Sequence, residues 1–278
     1  MRVLKSIDLK DYIIFYLYIK ARVIAEFFLF TLPNLRRINK FKGFKNTKKG
    51  KKAFVFANGP SLEKIDPYKI KKYQKMGYDV LSGNSYINTS FGEIVVPDFY
   101  IFSDNVHFST AIDQYSIDVK KILELKIPVF IPHRFCRKID WPNSYVFNDS
   151  FDFFCNNVVD MTKRRGYISM THLKAISAAC YMGYEKIYIC GFDFDYFKSY
   201  QVDEDNNIYF LANHFYSKEN SESVKIKEEI HKSMGELLLY MSLSFVGIDK
   251  FRSKPIINLS KCGLVDSFSK KHTLDVYR

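Results

Sequence analysis

Residues Lys51–Asp66 read KKAFVFANGPSLEKID, and the fold follows from how this stretch is divided. Ala53–Ala57 is a short apolar run containing Phe and Val between lysines, the pattern of a strand buried on both faces. Asn58-Gly59-Pro60-Ser61 breaks the run. Gly59 permits a tight turn and close approach of a ligand to the backbone. Pro60 presets φ, and Ser61 can cap a helix opening at Leu62–Ile65. Strand, turn and helix start together present N–H groups and a positive dipole end to a phosphate. The spacing matches neither G-x-G-x-x-G nor a P-loop.

Downstream, strand and helix signals alternate, as in a parallel sheet covered by helices. The strands are expected near Tyr78–Ser82, Phe99–Phe102, Pro128–Ile131, Tyr145–Phe147, Lys186–Cys190 and Pro255–Leu259. A helix over Thr171–Met182 is rich in small residues that allow close packing, and Gly183 suits its C-terminal cap. Residues 195–221 read as a polar, aromatic, irregular lid, followed by a long helix over Ser223–Phe245. The expected fold class is α/β: a Rossmann-like, mostly parallel sheet with helices on both faces, a lid segment and an N-terminal amphipathic membrane-associating helix. Two regions follow, an apolar and basic segment over 1–52 and the Rossmann-like domain over 53–278.

The first 35 residues are rich in large apolar side chains, but their uncharged runs are short, Tyr12–Ile19 being only eight residues, against about 20 for a spanning helix. Ile14, Leu17, Tyr18, Ala21, Ile24, Ala25 and Phe28 fall at helical spacing, and Pro33 is expected to end the helix. Arg36–Lys52 then carries nine Lys and Arg and no acid. An apolar helix beside a basic run suits an anionic membrane surface, which implies a peripheral protein on the cytoplasmic face of the inner membrane. The competing expectation is a helix packed on the domain with a solvated linker behind it.

A net charge of +12 favours an anionic partner. No RRM, helix-turn-helix or zinc-finger pattern supports nucleic acid. The five cysteines are scattered, odd in number and without C-x-x-C spacing, which argues against a disulfide framework or a zinc site. A homo-oligomer is left open.

Short polar side chains recur at the expected C-terminal strand ends: Asn58, Asn84 and Asp104. In open parallel sheets that edge carries the ligand crevice. FVFANGPSLEKID (residues 54–66), VLSGNSYI (80–87), GYEKIYICGFDF (183–194) and His214-Phe215 resemble the bacterial sialyltransferases of glycosyltransferase family 42. The resemblance runs from about Ala53 to Leu259. It implies an inverting transferase that uses a CMP-activated sialic acid or related nonulosonate, acts on a surface glycan such as lipooligosaccharide or capsule, and needs no metal or other cofactor. It also implies that Asn58 and Gly59 meet the donor phosphate and ribose, that Ser61 belongs to the same donor site, and that Asn84 holds nucleotide or sugar. Asp104 stands where that family has an Asn, and Thr171 where a donor-binding Ser is found. Tyr196 and Tyr200 would hold the departing phosphate, and His214 would be the general base. The family's basic residue before the helix is displaced to Arg164 or Arg165, so a Kdo-type donor stays open.

Two further readings compete. Asp193/Asp195 and Asp203/Asp205 have D-x-D spacing, which can hold Mg²⁺ against a diphosphate. A related NGPSL-type turn also occurs in pterin pyrophosphokinase-like proteins of the same broad fold, which would require Mg²⁺ and ATP. Among the other histidines, His107, His133 and His172 follow strand ends or start a helix and could touch a substrate. Lys163-Arg164-Arg165 could attract an anion or be an exposed basic loop.

Overall fold

The structure is a computed structural model, and it describes residues 9–108, 116–136, 139, 141–152, 155–195, 198, 200–211, 223–225, 233–260 and 263–271. Helix α1 (Leu9–Glu26) continues through a π turn (Phe27–Thr31) and a 3-10 turn (Leu32–Asn34) into α2 (Leu35–Lys40). A further 3-10 turn, Phe41–Phe44, leads to strand β1 (Lys52–Phe56). There follow α3 (Pro67–Lys75), β2 (Asp79–Gly83), α4 (Ser90–Ile94), β3 (Phe99–Ile101), α5 (Ile117–Glu124), β4 (Val129–Pro132) and β5 (Ser144–Phe147). Then come α6 (Thr171–Met182), β6 (Lys186–Cys190), the short strands β7 (Tyr200–Val202), β8 (Ile208–Leu211) and β9 (Ser223–Lys225), α7 (Met234–Asp249), β10 (Ile256–Asn258) and β11 (Ser269–Lys270).

Eight strands form one sheet in the order β11-β10-β6-β1-β2-β3-β4-β5, and every pairing in it is parallel. The chain walks outward from β1 to β5, then returns through α6 to place β6 on the other side of β1. This reversal opens a crevice at the C-terminal ends of β1 and β6, as in other doubly wound sheets. The α/β, Rossmann-like, mostly parallel sheet read from the sequence is the one observed.

The alternation within β1 builds both layers. Ala53, Val55 and Ala57 join the core under α6, and Phe54 and Phe56 join the opposite core. Ala175, Ala178 and Ala179 are buried where α6 crosses the sheet, and Gly183 closes the helix in the left-handed region at φ 83°.

Several local expectations are corrected. The helix after β1 begins at Pro67, not Leu62: Asp66 caps it, accepting from Tyr68 N at 2.9 Å, while Pro60–Lys64 is a 3-10 turn without a side-chain cap. Pro33 does not stop the N-terminal helix. It sits at the start of a new turn, where its missing N–H costs nothing. The basic stretch after it is not a loose linker: Ile38 and Phe41 are buried, and the Phe41 ring lies 4.9 Å from Phe130 and 5.8 Å from Tyr181. A region boundary at residue 52 therefore cuts through the core.

The described part of the lid is not irregular. β7, β8 and β9 form an antiparallel sheet, with Tyr200 opposite Phe210 and Phe210 opposite Val224. Asp203 makes its first turn, accepting from Asn207 N at 2.7 Å and Asp205 N at 3.0 Å. The long helix accordingly starts at Met234, because Ser223–Lys225 is strand.

Candidate functional site

Backbone approach builds the floor of the crevice. Gly59 N donates to Gly191 O at 2.9 Å, and a Cβ on Gly59 would lie 2.4 Å from that oxygen and 2.5 Å from Asp193 Oδ2. Ser61 is buried and its N–H donates to Asp193 Oδ2 at 2.8 Å. The N–H groups of Gly59 and Ser61 are thus spent on holding β1 to β6. A phosphate cradle at this turn, expected from the sequence, is not what the backbone offers. Burial pushes the Asp193 carboxyl up, the Ser61 N–H holds it down, and Asp195 adds to the rise.

Two lobes open above this floor. The narrower, about 190 Å³, is lined by Asn58, Gly59, His172, Asp193, Asp195 and Lys198 among others. The wider, about 480 Å³, is lined by residues including Asn58, Asn84, Asp104, His107, Asp118 and Thr171. Asn58, Met170 and His172 border both. The wider lobe alone has the size of an ordinary small-molecule site.

At the wall between β2, β3 and α6, Asn84 adopts φ 55° and donates from Nδ2 to Asp104 Oδ2 at 2.5 Å and to Thr171 Oγ1 at 3.2 Å. Thr171 in turn donates to Asp104 Oδ1 at 3.4 Å and shares a short hydrogen bond with Ser103 Oγ. A Cβ at Gly83 would lie 2.3 Å from Ile101 O and 2.9 Å from the Thr171 methyl, so glycine lets these three elements meet. The Oδ1 atoms of Asn58 and Asn84 are buried and accept no hydrogen bond among the described residues. A buried acceptor left unmatched is costly, so both are suited to donors on a ligand. No side chain caps the N-terminus of α6, and no acid sits in its first turn. That end carries backbone donors and a positive dipole toward the crevice.

His107 is buried against Phe102, with ring centroids 4.7 Å apart. Its Nδ1 lies 3.3 Å from Ser116 Oγ and 3.8 Å from Asp118 Oδ2. Desolvation lowers its pKa, against the pull of Asp118 and Asp104. The sequence flagged His107 and His172 only as following a strand end and starting a helix. Asp118 carried no signal, because it comes from α5, far from any strand end.

Of the residues expected at the site, Asn58, Gly59, Asn84, Asp104 and Thr171 line the crevice. Ser61 lies beneath it, bound to Asp193. Tyr200 begins β7, is not among the residues lining either lobe, and has its phenol pushed up by burial. Tyr196 and His214 lie outside the described residues. Among the described residues, no three His, Cys, Asp or Glu side chains are grouped to hold a metal ion.

The basic triplet is not an exposed loop. Arg165 is buried and joins Lys174 and Arg134 around the buried Asp149, with Lys174 Nζ 3.1 Å and Arg134 2.8 Å from Oδ2. Burial pushes the Asp149 carboxyl up, yet Lys174, Arg134 and Arg165 together hold it below the usual range. Arg164 donates to Val23 O of α1 at 3.3 Å, which leaves only Lys163 exposed.

An open parallel sheet with a polar two-lobed crevice at its switch point defines a Rossmann-like α/β protein. The family model described as "6-hydroxymethylpterin diphosphokinase MptE-like" matches residues 28–199, and the chain belongs to that MptE-like family. No protein of curated function matches the sequence. Among solved structures, the MAf glycosyltransferase from Magnetospirillum magneticum AMB-1 is similar at 13% identity and a TM-score of 0.46, over 87% of this chain. The chain spans 38% of the length of that structure.

Proposed function

We propose that the protein is an inverting glycosyltransferase that moves a sialic acid or related nonulosonate from a CMP-sugar to a hydroxyl of a surface glycan, without a metal. One observation carries the reading. Two buried amide acceptors, Asn58 Oδ1 and Asn84 Oδ1, have no donor among the described residues, in a crevice that the uncapped end of α6 also faces. Hydroxyls of ribose and sugar, or a cytosine amino group, would supply the missing donors. The α6 N-terminus would supply donors to a single phosphate. The likeness of NGPSL and GYEKIYICGFDF to family 42 of the glycosyltransferases supports the same donor.

In the reaction, the acceptor oxygen attacks the anomeric carbon from the face opposite the phosphate. The bond from that carbon to the phosphate oxygen breaks, and its electron pair leaves with CMP. The acceptor proton passes to an imidazole, assigned to His214 by the same likeness. An imidazole suits the task because its ordinary pKa lies near neutrality. Helix-end and amide dipoles fixed in advance would favour the charge that grows on the leaving phosphate.

The family description favours a second reading, diphosphoryl transfer from ATP to a hydroxymethylpterin. The carboxylates of Asp193 and Asp195 in the narrow lobe would then hold Mg²⁺. Product analysis separates the two. The first reading expects CMP release from a CMP-nonulosonate that survives EDTA and falls at least about a hundredfold in His214→Ala, the scale of a lost general base. AMP formed from ATP only with a pterin, and abolished by EDTA, would establish the second and remove the first.

A further inference from the structure

The apolar stripe of α1 faces away from the protein. Ile19 and Val23 are buried, and Lys20 Nζ reaches Asp152 Oδ2 at 2.8 Å, so this side holds the helix in place. At about 100° per residue, Ile14, Leu17, Ala21, Ile24 and Phe28 form a strip on the far side. Ile14, Leu17, Ile24 and Phe28 are 55%, 59%, 57% and 59% exposed. Tyr18 and Leu29, beside the strip, are as open. Scattered exposed hydrophobes are ordinary on soluble proteins, but a strip several turns long marks a surface that something covers.

Charge says what covers it. From Phe27 to Leu62 the chain contains nine Lys and Arg and no Asp or Glu. Arg36, Lys40, Lys42 and Lys45 are exposed on the turns that continue α1. No helix among the described residues is long and apolar enough to cross a membrane. An apolar face followed by an acid-free cationic stretch fits the headgroup region of an anionic bilayer, with the helix lying in its plane. A second copy of this chain would bring the same cations against each other.

We propose that α1 and its continuation to Phe44 dock the protein on an anionic lipid surface through the strip Ile14–Leu17–Ile24–Phe28. This docking is independent of the reaction assigned to the crevice. It also fixes the crevice near the membrane. Thr31 Oγ1 lies 3.4 Å from His133 Nε2, and Asn34 Nδ2 donates to His133 O at 3.4 Å. His133 follows β4 and Asp152 follows β5, so α1 is tied to the sheet edge that carries the crevice.

The test sediments the full chain with vesicles of phosphatidylcholine alone or mixed with phosphatidylglycerol. Binding should require phosphatidylglycerol and weaken with added salt. The double variant Leu17→Glu/Ile24→Glu should lower partitioning at least about tenfold, since each change withdraws a large apolar side chain from lipid. Both side chains are exposed, so circular dichroism and the melting point should not change. Arg36→Ala/Lys40→Ala should weaken partitioning about fivefold per charge. The proposal is overturned if the chain ignores phosphatidylglycerol, if the Glu variant binds vesicles as well as wild type, or if sedimentation velocity shows a dimer that the Glu variant splits while neither form binds vesicles.

Discussion

A methyl group at position 59 would collide with the Gly191 carbonyl and the Asp193 carboxylate at once, at 2.4 and 2.5 Å. The φ of Gly59 is −72°, so the need for glycine is one of space and not of backbone freedom. Gly59→Ala should therefore cost about 1–3 kcal/mol in urea unfolding, the usual penalty for overpacking, and should weaken any crevice ligand. An unchanged midpoint would contradict this close packing. His133 offers a pH test. Its Nδ1 accepts from Asp149 N at 3.0 Å, so that nitrogen carries a lone pair and the ring is neutral. Burial lowers its pKa from the ordinary 6.5 to about 4. Between those values the unfolded chain binds a proton that the folded protein refuses. Stability should then fall as pH drops below 6.5, by up to about 3 kcal/mol near the lower value. Urea midpoints at about pH 7 and about pH 5 should show the loss in wild type and a flatter profile in His133→Asn. At this scale the sequence could place Asn58, Asn84 and Asp104 at strand ends, because each follows a recognisable strand, and all three line the crevice. It could not show that Ser61 and Gly59 spend their N–H groups on β6, because that pairing joins residues more than 130 positions apart.

Elements were legible where local chemistry decides them. α6 and β6 occupy the spans expected, since a small-residue helix, a glycine cap and a short apolar run all lie within 20 residues. The misread elements are those whose identity depends on distant partners. β7, β8 and β9 are three or four residues long and exist by pairing with one another. The turns after Pro33 looked like solvated linker because basic residues surround Ile38 and Phe41, whose burial depends on β4, β5 and α6. Phe41→Ala tests that correction. Its ring is fully buried among Phe44, Phe130, Phe147 and Tyr181, so truncation should cost about 3–5 kcal/mol. A cost below about 1 kcal/mol would mean that this segment is an appendage after all. A chain shortened by its first 52 residues should fail to fold for the same reason, so loss of activity in it would say nothing about the membrane.

For the molecule as a whole, the sheet's reversal of direction between β1 and β6 decides where a ligand can sit, and strand order is invisible in a single sequence. The central claim is that a nucleoside monophosphate fills this crevice through Asn58, Asn84 and the end of α6. A ligand that binds only the folded chain raises its melting point by mass action. The direct measurement is the melting point with CMP, with ATP, and with ATP plus Mg²⁺, for wild type and Asn58→Ala. CMP should raise it in the presence of EDTA, by about 4–8 °C per kcal/mol at most and less for a chain of this size, and should not raise it in Asn58→Ala. A rise with ATP only when Mg²⁺ is present, and none with CMP, would contradict the central claim.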